Sequence, residues 1–326
     1  MRTVGLIVAV LLLQLGFILS YVGAFHAPTP QHIPLAVVSS SAQLSDQTVA
    51  KLNALTGTPL QAVTVADRAT AEQQIRDGEL SAALVINSQG TADALLTSSG
   101  GGVSVASAVT SVVTQVEASQ NRTLTTTDLV PLQNGDGRGL TGFYLVIGWI
   151  VGGYLMAALL GVSAGARPAT PRRAYFRLAA IVPYAIVSGF AGALIVDQVL
   201  GALTGHFMAL WWVGALLVAS AATVTLGFQV LFGVIGIGVT VLVFVILGNP
   251  SAGGAYQTTL LPPFWRKISN GLPNGAGTDA VRRIVYLGSQ GVTGHLVVIA
   301  IYVIAGTLVA AGGSHLAARR RVGATA

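Results

Sequence analysis

The sequence predicts a mainly α polytopic membrane protein, six transmembrane helices with a small extracytoplasmic α/β domain between helices 1 and 2. Three observations carry that prediction. Only 9% of the 326 residues are charged and 53% are hydrophobic, with mean hydropathy +0.73, whereas a soluble domain carries roughly 25% charged residues. Apolar runs of about 20 residues, enough to cross a bilayer core, recur along the chain. Nine of the eleven acidic residues fall within residues 26–140, which sets that stretch apart from the rest.

Residues 1–25 hold the first apolar run, VGLIVAVLLLQLGFILSYVGAF (4–25), with Arg2 in front. It reads as a retained anchor helix. The alternative is a signal peptide cleaved after Ala24, for which Arg2 supplies the charged n-region. Residues 26–140 read as the α/β domain. IPLAVVSS, PLQAVTVA and LSAALVIN are short apolar runs expected as buried strands. Between them, residues 45–57 and 67–78 have helical spacing and begin with Ser45 and Asp67, which suit N-caps. A longer helix is expected over VSVASAVTSVVTQVEASQ, after the break at Gly100–Gly102, and the NGDGRG turn at 134–139 returns the chain to the membrane.

Residues 141–326 read as a five-helix membrane domain, with spans at 141–164, 176–200, 207–226, 229–247 and 292–313. Pro183 is expected to kink the third helix, and Gly227–Gln229 to turn the chain between the fourth and fifth. Basic residues outside the domain flank the spans instead of forming one patch, which argues for topology and against nucleic acid. With the N-terminus cytoplasmic, the inner side carries Arg2, Arg167, Arg172, Arg173, Arg177, Arg319, Arg320 and Arg321 and no acid. Both termini are then inside.

The segment 255–290 falls on the outer side, before the last span. A helix over FWRKISNGL places Phe264, Trp265, Ile268 and Leu272 on one side, with Arg266 and Lys267 facing away. After PNGAG, Thr278 is expected to cap a second short helix with Asp279 in its first turn. Val281, Ile284 and Val285 form its apolar face, Arg282 and Arg283 its polar one. Such helices lie in the interface or dip into the protein, as an outer gate or as an ordinary interfacial loop.

Other chemistry is sparse. Without cysteine there is no disulfide, thiolate nucleophile or thiolate metal site. The five histidines are scattered without metal-ligand spacing, His206 and His295 reading as structural. No cofactor is expected, and no acid/base pair suggests an enzyme. Asp197, beside Gln198, is the one acid inside an expected span, a candidate polar site or a side chain reaching interfacial water. Gly148 and Gly152, and Gly161 and Gly165, have the spacing that lets helices approach closely, within the subunit or between copies. Tyr144, Trp149, Trp211 and Trp212 read as interfacial belts.

The order of these features is similar to the permease subunits of type-2 ABC exporters, especially the phage-infection-protein (Pip/YhgE-like) branch. The features are the domain between spans one and two, the strand IPLAVVSS after span one, ATAEQQIRDGELSAALVI, and LLPPFWRKISNGLPNGAGTDAVRRI before span six. The resemblance implies paired permeases, a homodimer or a pair of related chains, exporting an amphipathic or lipid-linked substrate. No GxxxxGK[ST] is present, so ATP would be hydrolysed by a separate subunit. The inner segment 165–177, with Arg167, Arg172, Arg173 and Arg177, would be the coupling element, unless those arginines only set topology and touch anionic lipids. The rival reading is a non-transporting envelope scaffold or phage-receptor-like protein, binding partners through its outer domain.

Overall fold

The computed structural model describes residues 2–168 and 170–323, and the side chains of Arg2, Thr3, Leu6 and residues 320–323 lie outside that description. Arg2, Arg320 and Arg321, expected on the inner side, are among the latter. Five helices are long and apolar enough to cross a membrane: α1 (Arg2–Phe25), α5 (Thr141–Ala164), α6 (Pro171–Leu194, extended by a π-helical stretch Ile195–Val199), α7 (Phe207–Phe232) and α12 (Val292–Gly323). The fifth expected span appears as a shorter apolar helix, Ile235–Ser251. It comprises α8 (Ile235–Thr240), a π-helical stretch Val241–Gly248 and α9 (Asn249–Ser251).

Several boundaries differ from the sequence reading. The turn expected at Gly227–Gln229 lies at Gly233, whose φ of +65° ends α7 in a conformation that favours glycine. Gln229 is instead buried within the helix, its amide donating to the Ala157 carbonyl at 3.1 Å. The third helix begins at Pro171, not at 176. Thr170 accepts from the Arg173 amide as N-cap, and Pro171 fits the first turn. α6 then continues through Pro183.

Between α1 and α5 the chain forms a five-stranded sheet, β2-β1-β3-β4-β5, parallel except where β3 meets β4. Its strands are β1 (Ile33–Ser39), β2 (Leu60–Thr64), β3 (Ala82–Ile86), β4 (Ala92–Thr97) and β5 (Thr123–Asp128). α2 (Ala42–Asn53) and α4 (Val103–Ser119) cover one face, where Leu35, Val37, Leu52, Leu84, Val109 and Val113 are buried together. α3 (Arg68–Arg76) covers the other, its Ala71 and Ile75 packed with Ala36, Val38 and Leu96. The first three strands are the expected ones. β5, TLTTTD, is a mostly exposed edge strand with no apolar periodicity to reveal it. Asp67 caps α3 as expected, but α2 starts earlier, capped by Ser41, and Ser45 is buried in its first turns.

α7 is the axis of the helical part, 72% of its apolar window being buried, against 11% for peripheral α1. α5, α6 and α12 pack around it. Their closest backbone approaches fall at glycines outside the expected four, although Gly161 of α5 packs against the Gln229 side chain of α7. A Cβ on Gly153 of α5 would lie 2.5 Å from the Val218 carbonyl oxygen, one on Gly189 of α6 2.5 Å from the Ala215 nitrogen, and one on Gly306 of α12 2.5 Å from the Val224 nitrogen. Backbones this close exclude any larger side chain. Of the expected set, Gly148 faces open space and Gly165 ends α5 with φ +85°, while Gly152 meets Tyr184 and Gly161 meets Gln229. Trp149 is not an interfacial residue: it is 3% exposed, wedged against Gly192 and Gly214, its indole donating to the Ser188 carbonyl.

Candidate functional site

The segment after Ser251 folds into a helical hairpin beneath the sheet. α10 (Pro263–Ser269) is followed by a turn and then by α11 (Pro273–Tyr286). The turn reaches into the bundle: the Tyr302 hydroxyl donates to the Gly271 carbonyl at 2.9 Å. Tyr302 lies ten residues into α12, about 15 Å along that helix at 1.5 Å per residue. Beside the turn, the Asn274 amide donates to the Phe244 carbonyl at 2.9 Å and to Asn249 Oδ1 at 2.7 Å. α11 then climbs back towards the sheet, where the Tyr286 hydroxyl donates to Asp136 Oδ2 at 2.7 Å.

This differs from the expected second helix. PNGAG is its first turn, not a linker, because Pro273 supplies a fixed φ at N1 and the glycines allow close packing. A Cβ on Gly275 would lie 2.1 Å from the Ser269 carbonyl oxygen, and one on Gly277 2.8 Å from Leu217. Thr278 is therefore interior, not a cap: it is 2% exposed, and its hydroxyl donates to the Asn274 carbonyl.

The expected gate residues divide into two groups. Phe264 and Trp265 do not share a face, Phe264 being 56% exposed and Trp265 8%, packed with Ala24 and Leu261. Arg266 donates to Gln31 Oε1 at 2.7 Å and to the Leu261 carbonyl at 3.0 Å, tying α10 to the chain that leaves α1, while Lys267 is exposed. The second group surrounds Asp279. Arg282 Nη1 lies 3.1 Å from Oδ1, Arg283 Nε 2.8 Å from Oδ2, and His295 Nε2 2.9 Å from Oδ2. Burial pushes the Asp279 carboxyl up, but the His295 hydrogen bond and the two guanidinium charges outweigh it and hold it well below the usual range. Asp279 is thus the ionised hub of the cluster.

Two cavities flank this cluster. A polar cleft of ≈ 300 Å³ runs between α10, α11 and α12, lined by Ser269, Asn270, Asp279, Arg282, Arg283 and His295. A smaller one of ≈ 130 Å³ separates α11 from the sheet domain, with Ser98, Gly102, Gln257 and Thr259 on its walls. The Gly100–Gly102 break borders this interface: Cβ atoms there would meet Tyr286 and Gln257 at 2.7 Å. Sequence reasoning missed His295, Ser269 and Gln257, which come from separate elements. The i, i+3, i+4 spacing of Asp279, Arg282 and Arg283 was the available signal.

The other candidate residues lie apart. Arg167, Arg172, Arg173 and Arg177 are at the opposite end of the helices, together with Arg319. Arg177 is 7% exposed and donates to the Ala164 and Gly165 carbonyls, and Arg167 donates to the Leu231 carbonyl. These two satisfy the carbonyls at the ends of α5 and α7. Arg172 and Arg173 are exposed, Arg172 over the Phe176 ring. Both lie on the first turn of α6 rather than in a loop. Asp197 is 7% exposed in the π-helical stretch, accepts from the Gln198 amide, and makes no ion pair among the described residues.

No protein-family model, curated protein or solved structure matches this chain.

Proposed function

We infer that the chain is a permease-type subunit of an ABC exporter, working as a pair in a bacterial cytoplasmic membrane and moving an amphipathic or lipid-linked substrate outward. The observation that carries this reading is the hairpin α10–α11, which enters the helical bundle beneath the sheet domain and returns to it. A short helical hairpin tied at its turn, with a polar cleft along its side, can admit or close off a path at that end. The basic bias of the far end, Arg167, Arg172, Arg173, Arg177 and Arg319 without an acid, supports a cytoplasmic placement of that end and of both termini, with the sheet domain outside. The short helix Ile235–Ser251 completes six crossings on this reading. A separate ATPase would dock at Arg172 and Arg173, and the membrane lipids are the remaining partners.

A second reading is favoured by one specific observation. Arg177 is buried, and both it and Arg167 are occupied with backbone carbonyls, which leaves Arg172 and Arg173 as the arginines of that segment with no such bond among the described residues. On this reading the chain is a scaffold that binds envelope partners through the sheet domain.

The deciding experiment is purification of the tagged chain in mild detergent, with mass spectrometry of co-purifying proteins. A stoichiometric nucleotide-binding subunit, lost on Arg172→Glu/Arg173→Glu, supports the permease. A chain that carries no ATPase moves the assignment to the scaffold.

A further inference from the structure

The hairpin cleft carries an unmatched positive charge. Two guanidinium side chains, 12% and 22% exposed, share one carboxylate, Asp279. The carboxylate and two carbonyls occupy only part of each arginine. Arg282 uses Nη1 on Asp279 and Nη2 on the Gly253 carbonyl, and Arg283 uses Nε on Asp279 and Nη1 on the Gln290 carbonyl. Among the described residues, Arg282 Nε and Arg283 Nη2 donate to no protein atom. Both side chains are half-buried, and their free N–H groups are available to an anion in the cleft as charge-assisted donors.

The far end of the same cleft is also short of partners. Ser269 is 1% exposed, and its hydroxyl has no hydrogen-bond partner. It stands beside Gly275 in the first turn of the 14-residue helix α11, which has no side-chain N-cap. The unpaired amides and dipole of a helix start favour negative charge. Cation surplus, orphaned hydroxyl and helix start therefore line one cavity of ≈ 300 Å³, a volume at the low end of small-ligand sites.

We propose that this cleft binds the phosphate group of an anionic ligand, held by Arg282 and Arg283, with Asp279 as the positioning residue that orients both. Planar guanidinium forks match phosphate oxygens bidentately, which a point-charge ammonium does not. The phosphate belongs either to a lipid headgroup or to a small water-soluble phosphate. Its role as the exported species rests on the permease reading, whereas the affinity rests on the cleft alone.

The test uses the full-length chain in phosphatidylcholine nanodiscs containing a minority of phosphatidylglycerol, with retained lipid counted by native mass spectrometry. Phosphatidylglycerol is expected to be retained in preference to phosphatidylcholine. The preference is expected to fall about tenfold or more in Arg282→Gln/Arg283→Gln, as for loss of a charge-assisted pair. Asn270→Trp, which fills the mouth of the cleft from an exposed position without touching the ion pairs, is expected to lose it too. Competition by inorganic phosphate assigns the site to a soluble phosphate, and its failure to compete assigns it to the lipid headgroup. Equal retention by wild type and both variants overturns the proposal. So does a loss confined to the arginine variant, because that loss would arise outside the cleft. The assay contains no ATPase, so its failure and the failure of the permease reading are separate results.

Discussion

The side-chain oxygen of Gln257 accepts a hydrogen bond from the backbone amide of Val105 at 3.2 Å, and another from the Ser104 hydroxyl. Gln257 belongs to the linker before the hairpin, yet it caps α4 of the sheet domain. The residue at the N-cap itself, Gly102, has no side chain to do so. The domain is thereby fastened to the hairpin by a cap supplied from 152 residues away.

Gln257→Ala is expected to cost about 1 kcal/mol, the usual effect of losing an N-cap. Hydrogen exchange should rise at the Val105 amide, which Gln257 holds, while the rest of the sheet domain is unchanged. Gly102→Ala is expected to be worse, because φ there is +155° and the new Cβ would meet Gln257 at 2.7 Å. Exchange profiles of the two variants check both.

The sheet domain should respond to pH through Glu117. It is 3% exposed beside Asp93 and Arg122. Burial, the Asp93 hydrogen bond and the Asp93 charge push its carboxyl up to about 7 from an ordinary 4.5. Asp93 titrates below its ordinary value because, although burial raises it, bonds from Arg122 and the Asn87 amide outweigh that. A raised folded pKa gives stability that is complete below the unfolded value and lost as pH rises through the folded one. Thermal stability of the domain is therefore expected to fall between pH about 4.5 and about 7. Glu117→Gln should flatten that slope, as read by melting curves across the range.

Helix packing predicts opposite outcomes for two glycines. Gly189→Val drives side-chain atoms into the backbone of α7, where a Cβ alone would lie 2.5 Å from the Ala215 nitrogen and the Trp211 oxygen. It is expected to destabilise by about 3 kcal/mol or more. Gly148→Val enters open space and is expected to be near neutral. Melting temperatures in detergent distinguish the two.

Arg177→Ala is expected to lower stability by about 2 kcal/mol, since it removes charged donors from the carbonyls ending α5. Arg172→Ala, on an exposed side chain, should leave the melting temperature unchanged. Thermal melts of the two purified variants test this contrast.

The long apolar helices, the presence of a sheet after the first of them and three of its five strands were legible in the residues alone. Each is a property of local composition: apolar length, alternation, and where charge is tolerated. The hairpin was half legible. Its helices and their arginines could be read, but its second helix starts at Pro273 because buried glycines let it pack against Ser269 and Leu217, neighbours that spacing does not reveal. His295 looked isolated because Asp279 lies across a turn on another helix. The four expected packing glycines met the right spacing, yet the glycines of other helices that abut α7 backbone include Gly153, Gly189, Gly236 and Gly306, none of them in that set. A glycine's role depends on which helix crosses at its height. Periodicity along one chain thus reports which residues leave water, whereas the partner each one meets is set by how separate helices cross and pack.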